Sequence, residues 1–231
     1  KKKLDQRSIF IHHHQDWRPP KDVDQSCILQ DQWRLINGNA LYDVSKDPKQ
    51  QHNLAAEYPD LLKYLLDQNA KFLAATKTNP TYKELPVHIV GNEAQKEIKL
   101  TIQHAIGEDG GIWKCEQVAA GMKNTNNTHA LKVEQAGVYE IACCRWPKEC
   151  AGPIWGIPED NPKELFQYES IKPQKERISI ANQILEKEIN GTEEAVIFKV
   201  KLEEGKTLLL NDFIEEEEKY GVYYTYIRRV K

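Results

Sequence analysis

The densest run of chemically capable side chains in this sequence is His12-His13-His14-Gln15-Asp16-Trp17-Arg18. An extended backbone alternates its side chains, so His12 and His14 share one face and His13 opposes them. Neighbouring imidazoles on a strand therefore do not converge on one metal ion. The sequence also has no His-x-x-x-His pair to complete such a site. The residue types suit an anionic sugar better. Arg18 can grip a carboxylate or sulfate through parallel N–H donors, and Trp17 can stack on a ring. His12, His13, His14, Gln15, Trp17 and Arg18 are thus the candidate substrate-binding set, at a pocket rim. No residue is assigned to catalysis or to a metal. The competing reading packs Trp17 under its own loop and pairs Arg18 with Asp16 or Asp22.

Other chemistries find little support. The Gly-Glu-Asp-Gly-Gly run at 107–111 reads as a hairpin turn, not as a phosphate-cradling loop. Neither Gly-x-Ser-x-Gly nor Ser-x-x-Lys occurs. Cys27, Cys115, Cys143, Cys144 and Cys150 are an odd set with no zinc spacing. Cys143 and Cys144 are adjacent on an expected strand and so face opposite ways. A Cys144–Cys150 bridge is conceivable, but free thiols are the expectation. Trp113 reads as a core or lid residue. Trp146 and Trp155, in a loop rich in Pro and Gly, are the better carbohydrate candidates. Arg34 is expected to reach a carboxylate such as Asp43 rather than a ligand.

The chain has 231 residues, 40% of them hydrophobic, and a formal net charge of -3. That is enough apolar content for a core, and no basic patch favours a nucleic-acid partner. The acidic run at 215–218 reads as a solvated loop. No apolar stretch is long enough to span a membrane as a helix. The chain opens at Lys1 without Met or a signal-peptide pattern, which reads as a truncated start. Sequons occur at Asn126 and Asn190 and matter only in a eukaryotic secretory host.

The elements needed to position these groups follow from periodicity. Residues 7–12, 26–30, 32–36 and 41–44 read as short strands, and Asn37-Gly38 as a two-residue hairpin turn. Residues 59–76 place Leu62, Leu65, Leu66, Phe72 and Leu73 on one helical face. Residues 78–86, with two prolines, read as a linker. Beyond them the period becomes two. Strands are expected at 87–90, 98–102, 111–118, 129–133, 138–145, 177–180, 195–202, 206–210 and 222–229. Residues 182–189 are open between strand and helical turn. The fold class is therefore α+β: a small antiparallel sheet with one packed helix over 1–77, then an all-β sandwich over 87–231. A sheet with one helix has a thin core, and its other face calls for a larger neighbour.

The stretch Trp33-Arg34-Leu35-Ile36-Asn37-Gly38, then Leu41-Tyr42-Asp43, then Asp47-Pro48 through Asn53-Leu54-Ala55, resembles the closing segment of type I sulfatase catalytic domains. The helix beginning at Pro59 follows as in that family. The resemblance covers roughly residues 7–76. Val138-Tyr139-Glu140-Ile141, Arg145-Trp146-Pro147 and the 221–227 run are similar, less distinctively, to the β-rich extension of some bacterial sulfatases.

The resemblance implies a sulfuric ester hydrolase using formylglycine and calcium, exported to the periplasm or the extracellular space. Formylglycine comes from Cys or Ser in Cys/Ser-x-Pro-x-Arg, and no such motif occurs here; Cys150-Ala-Gly-Pro is not one. The paired Asp-Asp calcium motif is missing as well. No cofactor is thus expected in this chain; calcium and formylglycine belong to the missing N-terminal part. The implied partners are the N-terminal catalytic domain of the same parent chain and a sulfated carbohydrate. The alternative is a stand-alone carbohydrate-binding or scaffold protein.

Overall fold

The computed structural model describes residues 7–13, 23, 25–79, 84–107, 109–150, 152–159 and 166–231. It divides into two compact units between Leu85 and Pro86. The first is an antiparallel meander of β1 (Ile9–His12), β2 (Ser26–Gln30), β3 (Trp33–Ile36) and β4 (Ala40–Asp43), followed by helix α1 (Pro59–Lys77). Asn37 and Gly38 turn the β3–β4 hairpin with φ of +48° and +70°. Both values lie where Asn and Gly are least penalised. Proline occupies the first turn of α1, where its missing N–H costs nothing.

The helix packs on one face of the sheet. Leu65 is buried with Ile28, Leu35 and Leu41 from β2, β3 and β4. Asn69 and Leu73 extend the buried stripe at four-residue spacing. Phe72, expected in the core, is 38% exposed but stacks on Phe10 with ring centroids 4.6 Å apart. Two side chains order the segment between β4 and α1: Asp47 closes it on itself, and Asn53 ties it to β4. Asp47 Oδ2 accepts from the Gln51 and His52 backbone N–H groups at 2.7 and 2.8 Å. Asn53 Oδ1 accepts from Leu41 and Ala55 N–H, both at 3.0 Å.

One expectation fails here. Arg34 does not reach Asp43, because Arg34 is opposite Tyr42 while Asp43 is opposite Trp33, placing them on opposite faces. Asp43 instead accepts from the Ser45 hydroxyl and backbone and pairs with Lys46 at 3.5 Å. The Ser45 hydroxyl above all holds the Asp43 carboxyl below its ordinary pKa.

The second unit contains β5 (His88–Val90), β6 (Glu97–Thr101), α2 (Cys115–Ala119), β7 (Thr128–Val133), β8 (Gly137–Cys144), β9 (Lys175–Ile180), β10 (Gln183–Glu188), β11 (Ala195–Leu202), β12 (Gly205–Glu215), β13 (Glu218–Gly221) and β14 (Tyr224–Arg229). One sheet runs β10-β9-β12-β7-β5, with β13 also on β12; the other runs β11-β8-β14-β6. One core lies between them: Leu131, Ile178, Ile180, Leu209 and Phe213 from the first sheet meet Tyr139, Ile141, Phe198, Val200 and Ile227 from the second. The alternation is clearest in β11, where Val196, Phe198, Val200 and Leu202 are buried and Ile197, Lys199 and Lys201 point outward. Two β10 side chains protect the β11 edge: Lys187 Nζ donates to Ile197 O at 2.6 Å and Gln183 Nε2 to Lys201 O at 3.1 Å. The fold is α+β, with a helix-backed small sheet followed by a sandwich.

Several local expectations need correction. Residues 111–118 are not a strand; Gln117 Oε1 accepts from Trp113 and Lys114 N–H at 2.7 and 3.0 Å and so starts α2. Glu108 of the 107–111 run lies outside the described residues, and the strand expected to follow the run is not formed. Residues 182–189 resolve as strand β10, reached through Ala181 and Asn182 at positive φ. Both Cys143 and Cys144 are buried, on opposite sides of β8, and all five cysteines are free.

Arg145, directly after β8, has 0% exposure. Its Nη1 donates to Gly156 O at 3.2 Å; its Nη2 donates to Ala119 O at 3.3 Å and to Glu169 O. Its guanidinium lies 4.4 Å from the Trp146 ring centre. Burial lowers its pKa to about 10, opposed by Tyr223 and Tyr220, so the charge persists at neutral pH. Replacing Arg145 by Leu removes bonds to three carbonyls and leaves Glu169 O without its donor, since Gly156 O also accepts from Trp146 Nε1 and Ala119 O from Glu169 N–H; Lys cannot span all three. Arg145→Leu and Arg145→Lys should each cost about 3 kcal/mol of stability, read by urea unfolding of tryptophan fluorescence. A loss below about 1 kcal/mol would show that the loops hold without it.

Candidate functional site

The expected pocket-rim set falls largely outside the described residues: His14, Gln15, Trp17 and Arg18 all lie there, with Asp16. His12 and His13 are described, and they face opposite ways. His12 turns onto α1, stacking on Phe72 at 5.9 Å, and both its ring nitrogens are buried without partners. It packs on the helix rather than facing solvent. His13 is exposed, and its backbone N–H donates to Gln25 O at 2.9 Å.

The sheet face away from α1 is apolar. The register aligns Ile11, Cys27, Ile36 and Ala40 in one row and Ile9, Leu29, Arg34 and Tyr42 in the next. Ile9 and Ile11 are 46% and 47% exposed. No described element of this unit covers that face, because its one helix sits on the other. Burial raises the Cys27 thiol pKa, opposed by the Arg34 charge.

In the second unit the tryptophans exchange roles. Trp146 is buried, with Arg145 over its ring and its Nε1 donating to Gly156 O at 3.1 Å. Trp155 donates to Pro173 O at 2.7 Å and lies flat on Gly191, where a Cβ would come within 2.2 Å of its ring. Trp146 offers no free face to a sugar, and Gly191 takes up one face of the half-buried Trp155. Trp113, expected as a core or lid residue, is 55% exposed, in the segment that leads into α2.

The best-formed concavity, about 280 Å³, lies on the outer face of the β11-β8-β14-β6 sheet. Ala142 is its floor, with Ile197 and Tyr226 opposite on the flanking strands. Cys144, Trp146, Pro147 and Gly152 close one end. Glu97, Glu140, Glu194, Lys148 and Arg228 supply its charge. Burial raises the Cys144 thiol to a pKa of about 11, so it stays protonated and is a poor nucleophile.

Two titratable clusters, each with at least one buried member, escaped sequence reasoning, because their members lie on separate elements with no shared spacing. His88, His104 and His129 meet at one end of the sandwich; the His88 and His104 rings are 5.0 Å apart. Thr101 N–H donates to His104 Nδ1 at 3.2 Å, which leaves the proton on Nε2 and no lone pair there for a metal. Among the described residues no group of three or more His, Cys, Asp or Glu is arranged to hold a metal ion. Glu176 is fully buried in the sandwich core. Burial raises its pKa well above 4.5; the Cys143 thiol lowers it somewhat and Asp212 raises it.

Comparison with protein-family models gives no match, and comparison with curated proteins gives none. Among the described residues no helix is long and apolar enough to cross a membrane.

The two clusters set opposite pH limits on stability. Burial, with His88 and His104 adding repulsion, lowers His129 from 6.5 to about 3. The unfolded chain therefore takes up the proton first, and stability drains as pH falls below about 6.5. That loss reaches about 3 kcal/mol by pH 4.5. Glu176 works the other way: the unfolded chain ionises first, so stability drains as pH rises above about 4.5. Glu176→Gln should raise the melting temperature increasingly from pH 5 to pH 8, and His129→Leu should flatten the acid side. Thermal unfolding across that range checks both; a Glu176→Gln effect independent of pH would contradict the assignment.

Proposed function

We propose that this chain is the C-terminal part of a sulfatase-like sulfuric ester hydrolase, completing its catalytic domain and adding an accessory β-sandwich. The observation that supports this most is the bare apolar face of the β1–β4 sheet. Isoleucines at positions 9 and 11, beside Leu29 in one row and Cys27 and Ile36 in the next, suit burial against a larger body. The sequence resemblance names that body as the N-terminal catalytic domain of the same parent. Asp47 and Asn53 give the resembling residues a shared role, since Asp47 closes the turn after β4 and Asn53 ties the connection to Leu41.

The chain supplies structure rather than bond breaking. Sulfate-ester hydrolysis needs an activated nucleophile and a charge to stabilise the leaving oxygens. Formylglycine and calcium would supply these in the parent. No residue here matches the motif for either, so no step is assigned to this chain. In the parent, His13 and Arg18 border the pocket and position a sulfated carbohydrate. The parent acts in the periplasm or outside the cell.

The purified chain should turn over no aryl sulfate, while the same chain preceded by an upstream Cys/Ser-x-Pro-x-Arg segment should do so. Turnover by the chain alone, or an upstream sequence lacking that motif, contradicts the proposal. In the parent, His13→Ala and Arg18→Ala should weaken turnover of an extended natural substrate more than of small aryl sulfates. Equal loss on both would make the loop structural. Ile11→Asp should cost the chain alone less than about 0.5 kcal/mol, as a surface change, yet destabilise the parent.

A further inference from the structure

The groove over Ala142 has a lopsided hydrogen-bonding inventory. Its two cations are already committed. Arg228 Nε and Nη2 both donate to Glu140 Oε1, at 2.9 and 2.5 Å. Lys148 Nζ donates to Glu97 Oε1 at 2.5 Å and lies 4.2 Å from the Tyr226 ring centre. Each pairing uses one oxygen of its carboxylate, leaving Oε2 of Glu140 and of Glu97 open to accept. Glu194, on the lip, forms no hydrogen bond or ion pair with a described residue and adds two more acceptors. Three carboxylates thus face two cations. The remaining lining is apolar: Ala142, Ile197, Ala195, Pro147 and the nearly buried Cys144.

Such a surface must be met by a ligand that brings donors, carries positive charge and has an apolar body. A sulfate or carboxylate would meet excess negative charge with no free cation to receive it. We propose that this groove binds an amino sugar with a free ammonium group. The ammonium pairs with Glu194, ring hydroxyls donate to Glu140 and Glu97, and the C–H face of the ring lies over Ala142 and Ile197. The groove volume of about 280 Å³ suits one sugar ring. This assignment stands on the sandwich alone and does not require the sulfatase reading.

Titration calorimetry of the full chain with glucosamine tests it. N-acetylglucosamine keeps the ring and loses the charge; glucosamine 6-sulfate keeps the ammonium and adds an anion. Both should bind about tenfold more weakly than glucosamine. Glu194→Gln, at an exposed position, should weaken glucosamine about three- to fivefold without moving the unfolding curve. Ala142→Leu fills the floor and should abolish binding; circular dichroism confirms that each variant is folded. Equal affinity for N-acetylglucosamine, preference for the sulfated sugar, indifference to Glu194→Gln, or no heat with glucosamine would overturn the proposal.

Discussion

A guanidinium with no exposed surface, held by three peptide carbonyls, organises the irregular part of the sandwich. Arg145 leaves β8 and joins the end of α2 at Ala119, the loop at Gly156 and the chain at Glu169. A buried charge is tolerable when its hydrogen-bonding groups are largely met, and here dipoles rather than a carboxylate meet Nη1 and Nη2, while Nε has no partner among the described residues. Carbonyls fix direction and do not titrate, so the joint holds across a wide pH range. Trp146 lies under the same guanidinium and forms the closed end of the outer groove. The groove wall therefore inherits its position from Arg145.

The two units solve the burial problem differently. The sandwich encloses its core between two sheets and can admit Glu176, His129 and Asn211 into it. Such polar residues cost stability unless they are satisfied, and among the described residues Glu176 and His129 have no geometric hydrogen-bond partners. They stay neutral instead, which is why both shift in the direction that burial dictates. The first unit has one helix for two sheet faces. Its core of Ile28, Leu35, Leu41 and Leu65 is small, and its second face keeps isoleucines in solvent. A unit built this way gains most by burying that face elsewhere.

Much of the fold was legible because its signals were local. Asn37-Gly38 marks a hairpin by itself, and the leucines of α1 repeat at helical spacing. The strand at Ala195–Leu202 alternates without a break, so its bounds were plain. Strand β10 was ambiguous because its turn is Ala181-Asn182, and alanine gives no hint of positive φ. Residues 111–118 misled because Gln117 bends them through a side-chain contact that periodicity does not encode. The Arg34–Asp43 pairing failed on register, which sets faces that sequence distance alone leaves open. The groove, the histidine trio and Glu176 were invisible for a shared reason: each is assembled from strands far apart in sequence. Of the expected rim, His12 and His13 are placed, and they part to opposite faces as strand alternation requires.

Cys27 offers a direct probe of the central claim, that the β1–β4 sheet completes a larger enzyme. Its thiol sits on the bare face, in register with Ile11 and Ile36. Alkylation at pH 8, followed by peptide mass spectrometry, would give its rate in this chain and in the full-length parent. The account predicts that Cys27 reacts about tenfold or more slowly in the parent, with exposed Cys115 as the internal reference. Equal rates for Cys27 in the two proteins would mean that nothing docks on this face, and would contradict the account.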